Sequence, residues 1–288
     1  MSELRPATPA RRPETARPRE DAEVTVEPPS PDDLARIERH LASLPLHSGA
    51  EVLDDPNLGV VLVRALGAGI GLNYGALPRW SAEGWRAALD RLAAKMRSAG
   101  EWPSLLVADR LDRPLGLAGQ LPSAGWSAAG RETVMWVGHA SIVPHLDASL
   151  RIEAVRPGDV ADHEALEGRV FRLPKKEAAD RRQRLSAALE RGGLRAYVVR
   201  VGGEPVAVAR LSQGDGVSGL YGIGVSDAWR RKGMGTLITT VATRAGLVTG
   251  NRLVWLSVED GNDGARAMYE KLGFRPAFGW SRWLSASR

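Results

Sequence analysis

Arg230, Arg231 and Lys232 run directly into Gly233, Met234 and Gly235, and an apolar, helix-like stretch follows. Three cations and two glycines at the head of a helix suit one kind of guest. Glycine lets backbone N–H groups converge without a Cβ in the way. The first turn of a helix also offers unpaired N–H groups at its positive end. Bonds of this type to a charged group contribute roughly 1.5–3 kcal/mol each. The natural ligand for such a loop is a pyrophosphate. Two other phosphate-binding patterns fail. No GxxxxGK[ST] occurs, and neither "GAGIGL" at 67–72 nor "GIGVSD" at 222–227 completes GxGxxG. The pattern that survives is [QR]-x-x-G-x-[GA].

Other chemistries are set aside by composition. The chain has no Cys, which excludes disulfides and thiolate catalysis. Five His residues are scattered without an HExxH pairing, so no metal is expected. The net charge is +5, but 34 of the 39 basic residues are Arg and they are spread along the chain. Nucleic-acid binding is therefore not expected. No apolar run is long enough to span a membrane, and the N-terminus has no apolar signal region, so a cytoplasmic protein is expected.

The loop needs elements to hold it. Residues 1–29 are rich in Pro and Arg, lack apolar periodicity, and are expected to be a disordered tail. Helical patterns follow at "PSPDDLARIERHLASLPL", with Ser30 as cap, and at "SAEGWRAALDRLAAKMRSAG", with Ser81 as cap. Strands are expected at "LGVVLVRAL", "GIGLNYGAL", "PSLLVAD" and "ETVMWVGH". In the second half a strand and helix ("LRIEAVRPGDVADHEAL") precede a helix ("PKKEAADRRQRLSAALERGG") and a hairpin turning at Gly202-Gly203. The strand "VSGLYGIGVS" then feeds the cationic loop and its helix. "RLVWLSVED" is a further strand, "DGARAMYEKLG" a helix, and "FRPAFGWSRWLSA" a final hairpin. The halves rhyme: each runs strand, helix, "LxxxGW" or "LGF", then an aromatic-rich closing strand. This reads as an internal duplication in which the first copy lacks the cationic loop.

Strand, loop "RRKGMG", helix, strand and then "NDGARAMYEKLGF" at 262–274 together resemble the GNAT superfamily of acetyl-CoA-dependent N-acyltransferases. The resemblance covers about residues 151–288. Residues 31–145 look like the degenerate first copy of tandem GNAT proteins. The expected fold is α/β: two GNAT-like domains, at 30–146 and 150–288, each with a mixed, mostly antiparallel central sheet flanked by helices, packed as an intramolecular pseudo-dimer.

The resemblance implies roles residue by residue. Amides and side chains of Arg230, Arg231, Lys232, Gly233, Met234 and Gly235 would hold the CoA pyrophosphate. Ile223, Gly224 and Val225 would pair with the pantetheine arm where two strands splay apart. Asn262 would contact the cofactor, and Tyr269 would lie near its sulfur as acid or stabiliser. Many members carry a Glu general base on the family's fourth strand; "GLYGIGV" has none, which leaves Glu259 as the nearest candidate and Tyr221 as another. The implied reaction is acetyl transfer from acetyl-CoA to a primary amine by direct attack, with no acyl-enzyme and no metal. The missing carboxylate leaves an alternative: an inactive CoA-binding sensor or partner-docking protein.

Overall fold

The computed structural model describes residues 27–65, 73–140 and 149–287. Residues 1–26 of the expected tail and the first four residues, 69–72, of the strand expected at 69–77 lie outside them. The first half runs α1 (Pro31–Ser43), β1 (Glu51–Asp55), β2 (Val60–Arg64), β3 (Tyr74–Ala76), α2 (Trp85–Ser98), β4 (Ser104–Ala108), α3 (Leu117–Gln120) and β5 (Trp126–Val137). The second half runs β6 (Leu150–Ala154), α4 (Ala161–Val170), α5 (Ala178–Arg191), β7 (Leu194–Val201), β8 (Glu204–Gly214), β9 (Val217–Val225), α6 (Met234–Leu247), β10 (Val254–Glu259), α7 (Asp263–Lys271) and β11 (Arg275–Ser285).

Local sequence explains most of these elements. Ser30 caps α1 in a reciprocal capping box with Asp33, and Pro31 opens the helix. The hairpin between β7 and β8 turns at Gly202 and Gly203, both at positive φ. Two expectations need correction. The helix placed after Ser81 starts at Trp85 with Gly84 as its cap, because Ser81 Oγ accepts from the Gly84 amide (3.0 Å) and holds a separate turn. The final segment is one 11-residue strand, not a hairpin. Strand β1, "EVLDD", was not anticipated; its paired acids suit a sheet edge.

All eleven strands form one sheet, in the order β1-β2-β3-β4-β11-β5-β10-β9-β8-β7-β6. The pairing is mixed and mostly antiparallel, with parallel pairs only at β3–β4 and β9–β10 among the described strands. At the centre the halves trade their last strands. Strand β11 of the second half lies between β4 and β5 of the first, and β5 lies between β11 and β10. One apolar cluster therefore joins Ile37, Leu41 and Leu106 of the first half to Leu253, Trp255, Phe278 and Trp280 of the second. Alternation along β8 separates the two faces of the second half. Ala207, Ala209 and Leu211 face α6 and α7, while Val208 faces Leu166 of α4.

The helical arm before β1 is tied to the second half by a buried polar chain. Trp255 Nε1 donates to His40 Nδ1 (3.1 Å), and the Nε2 atoms of His40 and His47 both lie 2.8 Å from Ser212 Oγ. A bond accepted at Nδ1 fixes His40 as the neutral Nε2–H tautomer, which donates to Ser212. Burial, reinforced by the neighbouring His47, lowers the His40 pKa to about 4. Burial lowers that of His163 to about 3. Because these folded-state values lie below the unfolded one, the unfolded chain takes the proton first. Each His then withdraws stability as pH falls below about 6.5. A residue-resolved NMR titration is expected to show His40 still neutral at pH 5.5; a midpoint near 6.5 would contradict the buried tautomer.

Candidate active site

The site is opened by a failure of pairing. Strands β9 and β10 run parallel through Ser218–Val254, Gly219–Trp255 and Leu220–Leu256, and no further pairs form. Past that point β10 continues against β5 to Glu259, while β9 stays with β8. A wedge remains between Tyr221–Val225 and Ser257–Glu259. Two glycines shape it. Gly219 lies in register with Trp255, and a Cβ there would sit 2.6 Å from the indole ring, so the bare backbone lets Trp255 fill the closed end. Gly222, at φ +60°, makes the β-bulge where β9 carries two residues against Ala209 alone.

The wedge is a cleft of about 930 Å³. Ile223, Gly224 and Val225 line one wall, and Val170 and Phe171 at the end of α4 stand over Gly224. The cationic loop closes one end. Gly233 takes φ +79° and Arg231 φ +58°, which turns the chain sharply into α6. The amides of Arg231 through Thr236 find no backbone acceptor among the described residues; the ladder of α6 starts with Leu237 donating to Gly233. Arg230, Arg231, Gly233 and Gly235 line the cleft. Gly235 lies against Val225 and Met268 and leaves the approach to the amides open. Lys232 and Met234 do not line it. The Lys232 ammonium sits 4.8 Å over the Trp229 ring, a cation–π contact, and Met234 is buried in the core. The free amides and the Cβ-less approach fit a pyrophosphate.

The far wall comes from α7. Asn262 caps that helix, its Oδ1 accepting from Ala265 N (3.3 Å), which leaves its amide N–H groups at the cleft. Tyr269 is buried, its ring 5.9 Å from that of Phe274. Burial lifts its pKa to about 12, so at neutral pH it is a hydroxyl that can donate but not a base. Tyr221 is pushed up more strongly by burial, so it too is an unsuitable base.

Glu259 ends β10, and alternation along the strand puts its side chain on the opposite face of the sheet from Val258, which packs with α6 and α7. Across from it, in register on β5, stands Glu132. Both carboxylates line the main cleft and a second cavity of about 410 Å³ between the halves, which Ala129, Trp280 and Arg282 also line. The cleft is thus lined by cations beside the start of α6 and by carboxylates on the face of the sheet away from that helix. Sequence reading passed over Glu132 because it belongs to the other half and reaches the site only through the strand exchange. The loop beyond Glu259 is clamped by Arg131, which donates from Nη1 to Asp260 (2.9 Å) and from Nη2 to Asp109 (2.6 Å). These bonds hold the Asp260 pKa below the usual carboxylate range.

Similarity points the same way. Residues 161–274 match the model of the acetyltransferase (GNAT) family. Among solved structures, a GCN5-related N-acetyltransferase from Kribbella flavida superposes with a TM-score of 0.69 at 21% identity, over 88% of this chain and 96% of that one. One from Sphaerobacter thermophilus gives 0.60 at 16%, over 89% and 93%. A tandem GNAT protein from the clavulanic acid biosynthesis pathway gives 0.58 at 17%, over 88% and 94%. No curated protein sequence matches. The described residues hold no group of His and acidic side chains that could bind a metal, and no helix long and apolar enough to cross a membrane. The splayed strands, the amide-lined loop and the family match agree: the second half of this chain carries an acetyltransferase domain of the GNAT family.

Proposed function

We propose that the protein transfers an acetyl group from acetyl-CoA to a primary amine by direct attack within a ternary complex. The observation that carries this is a single cleft lined by both charge types. Free amides with Arg230 and Arg231 suit a pyrophosphate, and Glu132 with Glu259, on the face away from α6, suit an ammonium. Between them, the unpaired edge of β9 at Ile223–Val225 offers backbone partners to the pantetheine amides, and Asn262 adds a side-chain amide. Amine nitrogen attacks the thioester carbonyl carbon, the C–S bond breaks, and sulfur leaves as thiolate. Tyr269 stabilises that sulfur by donating a hydrogen bond. Full transfer from a hydroxyl at about 12 to a thiolate near ~8.5 is uphill by roughly 5 kcal/mol. The thiolate proton therefore comes from the attacking nitrogen through solvent.

Tyr269→Phe is expected to lower kcat about 10- to 100-fold with acetyl-CoA affinity nearly unchanged. Steady-state kinetics beside a binding titration checks this; an unchanged kcat would remove Tyr269 from the reaction.

The first half, by this reading, is a degenerate copy with no CoA site. Its own parallel pair, β3–β4, meets only at Gly75–Leu105. The space beyond is closed by a bridge between Arg79 and Arg113 and by the buried Trp80, whose Nε1 donates to Leu58 O (2.7 Å). One CoA per chain in a calorimetric titration is the matching result.

A further inference from the structure

We infer that Glu132, supplied by the first half, takes the proton from the acceptor amine, and that the cavity between the halves holds the rest of the acceptor. This rests on the acyl-transfer reading above. Glu132 and Glu259 are cross-strand partners, so their side chains leave the same face of the sheet about 5 Å apart at Cβ. Like charges directly opposite each other destabilise a sheet. Neither carboxylate has an ion-pair partner among the described residues: neighbouring Arg131 is committed to Asp109 and Asp260, and Arg282, which lines the same cavity, acts on Glu132 only from beyond ion-pair distance. The pair sits at the one place where the cofactor cleft and the second cavity meet. An ammonium placed there is held by two carboxylates at the border of the cofactor cleft.

Of the two, Glu132 is the half-buried one and Glu259 is exposed. An alkylamine with a pKa near ~10.4 is neutral in only about one molecule in 2,500 at pH 7. Its ammonium must therefore lose a proton before nitrogen has a lone pair to attack with. In water, transfer to a carboxylate is uphill by about six pKa units; in a cleft closed by both substrates the charged forms are penalised and the gap narrows. Glu132 takes this first proton and passes it to solvent past Glu259. The second N–H proton, acidic once nitrogen is bonded to the carbonyl carbon, ends on the departing thiolate. The sum is an ammonium and a thioester converted to an amide, a thiol and a released proton.

Beyond the carboxylates, β5 bulges at Ala129, where Gly130 pairs with Arg282 and Ala128 with Trp283. The bulge and the Trp280 ring form the second cavity, which would take the acceptor's body.

The test uses the full-length protein with acetyl-CoA and spermidine, tyramine, lysine and kanamycin as amines. On the best of these, kcat/KM of the wild type should be flat from about pH 6 up to the amine's own pKa. Glu132→Gln should be about 100-fold slower at pH 7 and recover about tenfold per pH unit, with acetyl-CoA affinity unchanged and a melting temperature equal to or above that of the wild type. Glu132→Asp should restore part of the loss. Ala129→Trp should raise KM for the amine at least tenfold without altering acetyl-CoA binding. A Glu132→Gln enzyme within threefold of wild type across the pH range, or one equally impaired at every pH, overturns the assignment while acyl transfer stands. A wild type that releases no thiol with any of the amines overturns the acyl-transfer reading itself, and this assignment with it.

Discussion

Gly235→Trp is expected to abolish acetyl-CoA binding, with affinity reduced at least 100-fold in a calorimetric titration. The helix should tolerate the change, since Trp has a better helix propensity than Gly by a few tenths of a kcal/mol. The atoms nearest to a Cβ at this position belong to the Met268 thioether, at 3.1 Å, and to Val225, whose Cγ2 is at 3.7 Å. Both are side-chain ends, and the thioether can rotate away. Gly235 lines the cleft, so an indole there takes up space beside the free amides of Arg231 to Thr236. A 100-fold loss is about 2.7 kcal/mol, the worth of one or two charge-assisted hydrogen bonds of the kind this loop can make. Melting within a few degrees of wild type would separate lost binding from lost fold. Unchanged affinity would refute the pyrophosphate assignment.

Ending the chain at Phe274 is expected to leave neither half folded. The deletion removes β11, which pairs with β4 along Trp280–Leu284 and with β5 along nearly its whole length. It also removes Phe278 and Trp280, both buried in the cluster shared by the halves. Truncating one buried aromatic side chain costs about 3–5 kcal/mol, and domains have only about 5–15 kcal/mol to lose. Two such losses, with the central ladders of the sheet, exceed that margin. Circular dichroism and limited proteolysis of the truncated chain would show it. A truncated chain retaining a cooperative melt would mean that the strand exchange is dispensable.

What was legible in the sequence was local. The cationic loop, the glycines beside it, the Ser30 cap and the hairpin at Gly202-Gly203 are each written in a few adjacent residues. The resemblance of the loop, with Asn262 and Tyr269 downstream, to the GNAT pattern implied an acyltransferase site. What was not legible depends on which strands meet. "FRPAFGWSRW" reads as a hairpin because Pro276 and Gly279 are turn residues. In the sheet, Gly279 stays extended and leaves room for the Arg131–Asp109 ion pair, whose atoms would collide with any Cβ there. Glu132 looked like an ordinary strand residue of the wrong half. Its place opposite Glu259 follows only from the insertion of β5 beside β10. The strand leading into the loop lacks a carboxylate, which motivates the inactive-sensor alternative; under the proposal above, Glu132 of the other half takes that place.

The most direct test of the account is product analysis with acetyl-CoA and the amine panel, reading free thiol and acetylated amine together. The account predicts that the two appear in equal amounts, only when an amine is present. Tight acetyl-CoA binding with no acetylated product from any amine would contradict it and leave a binding protein in its place.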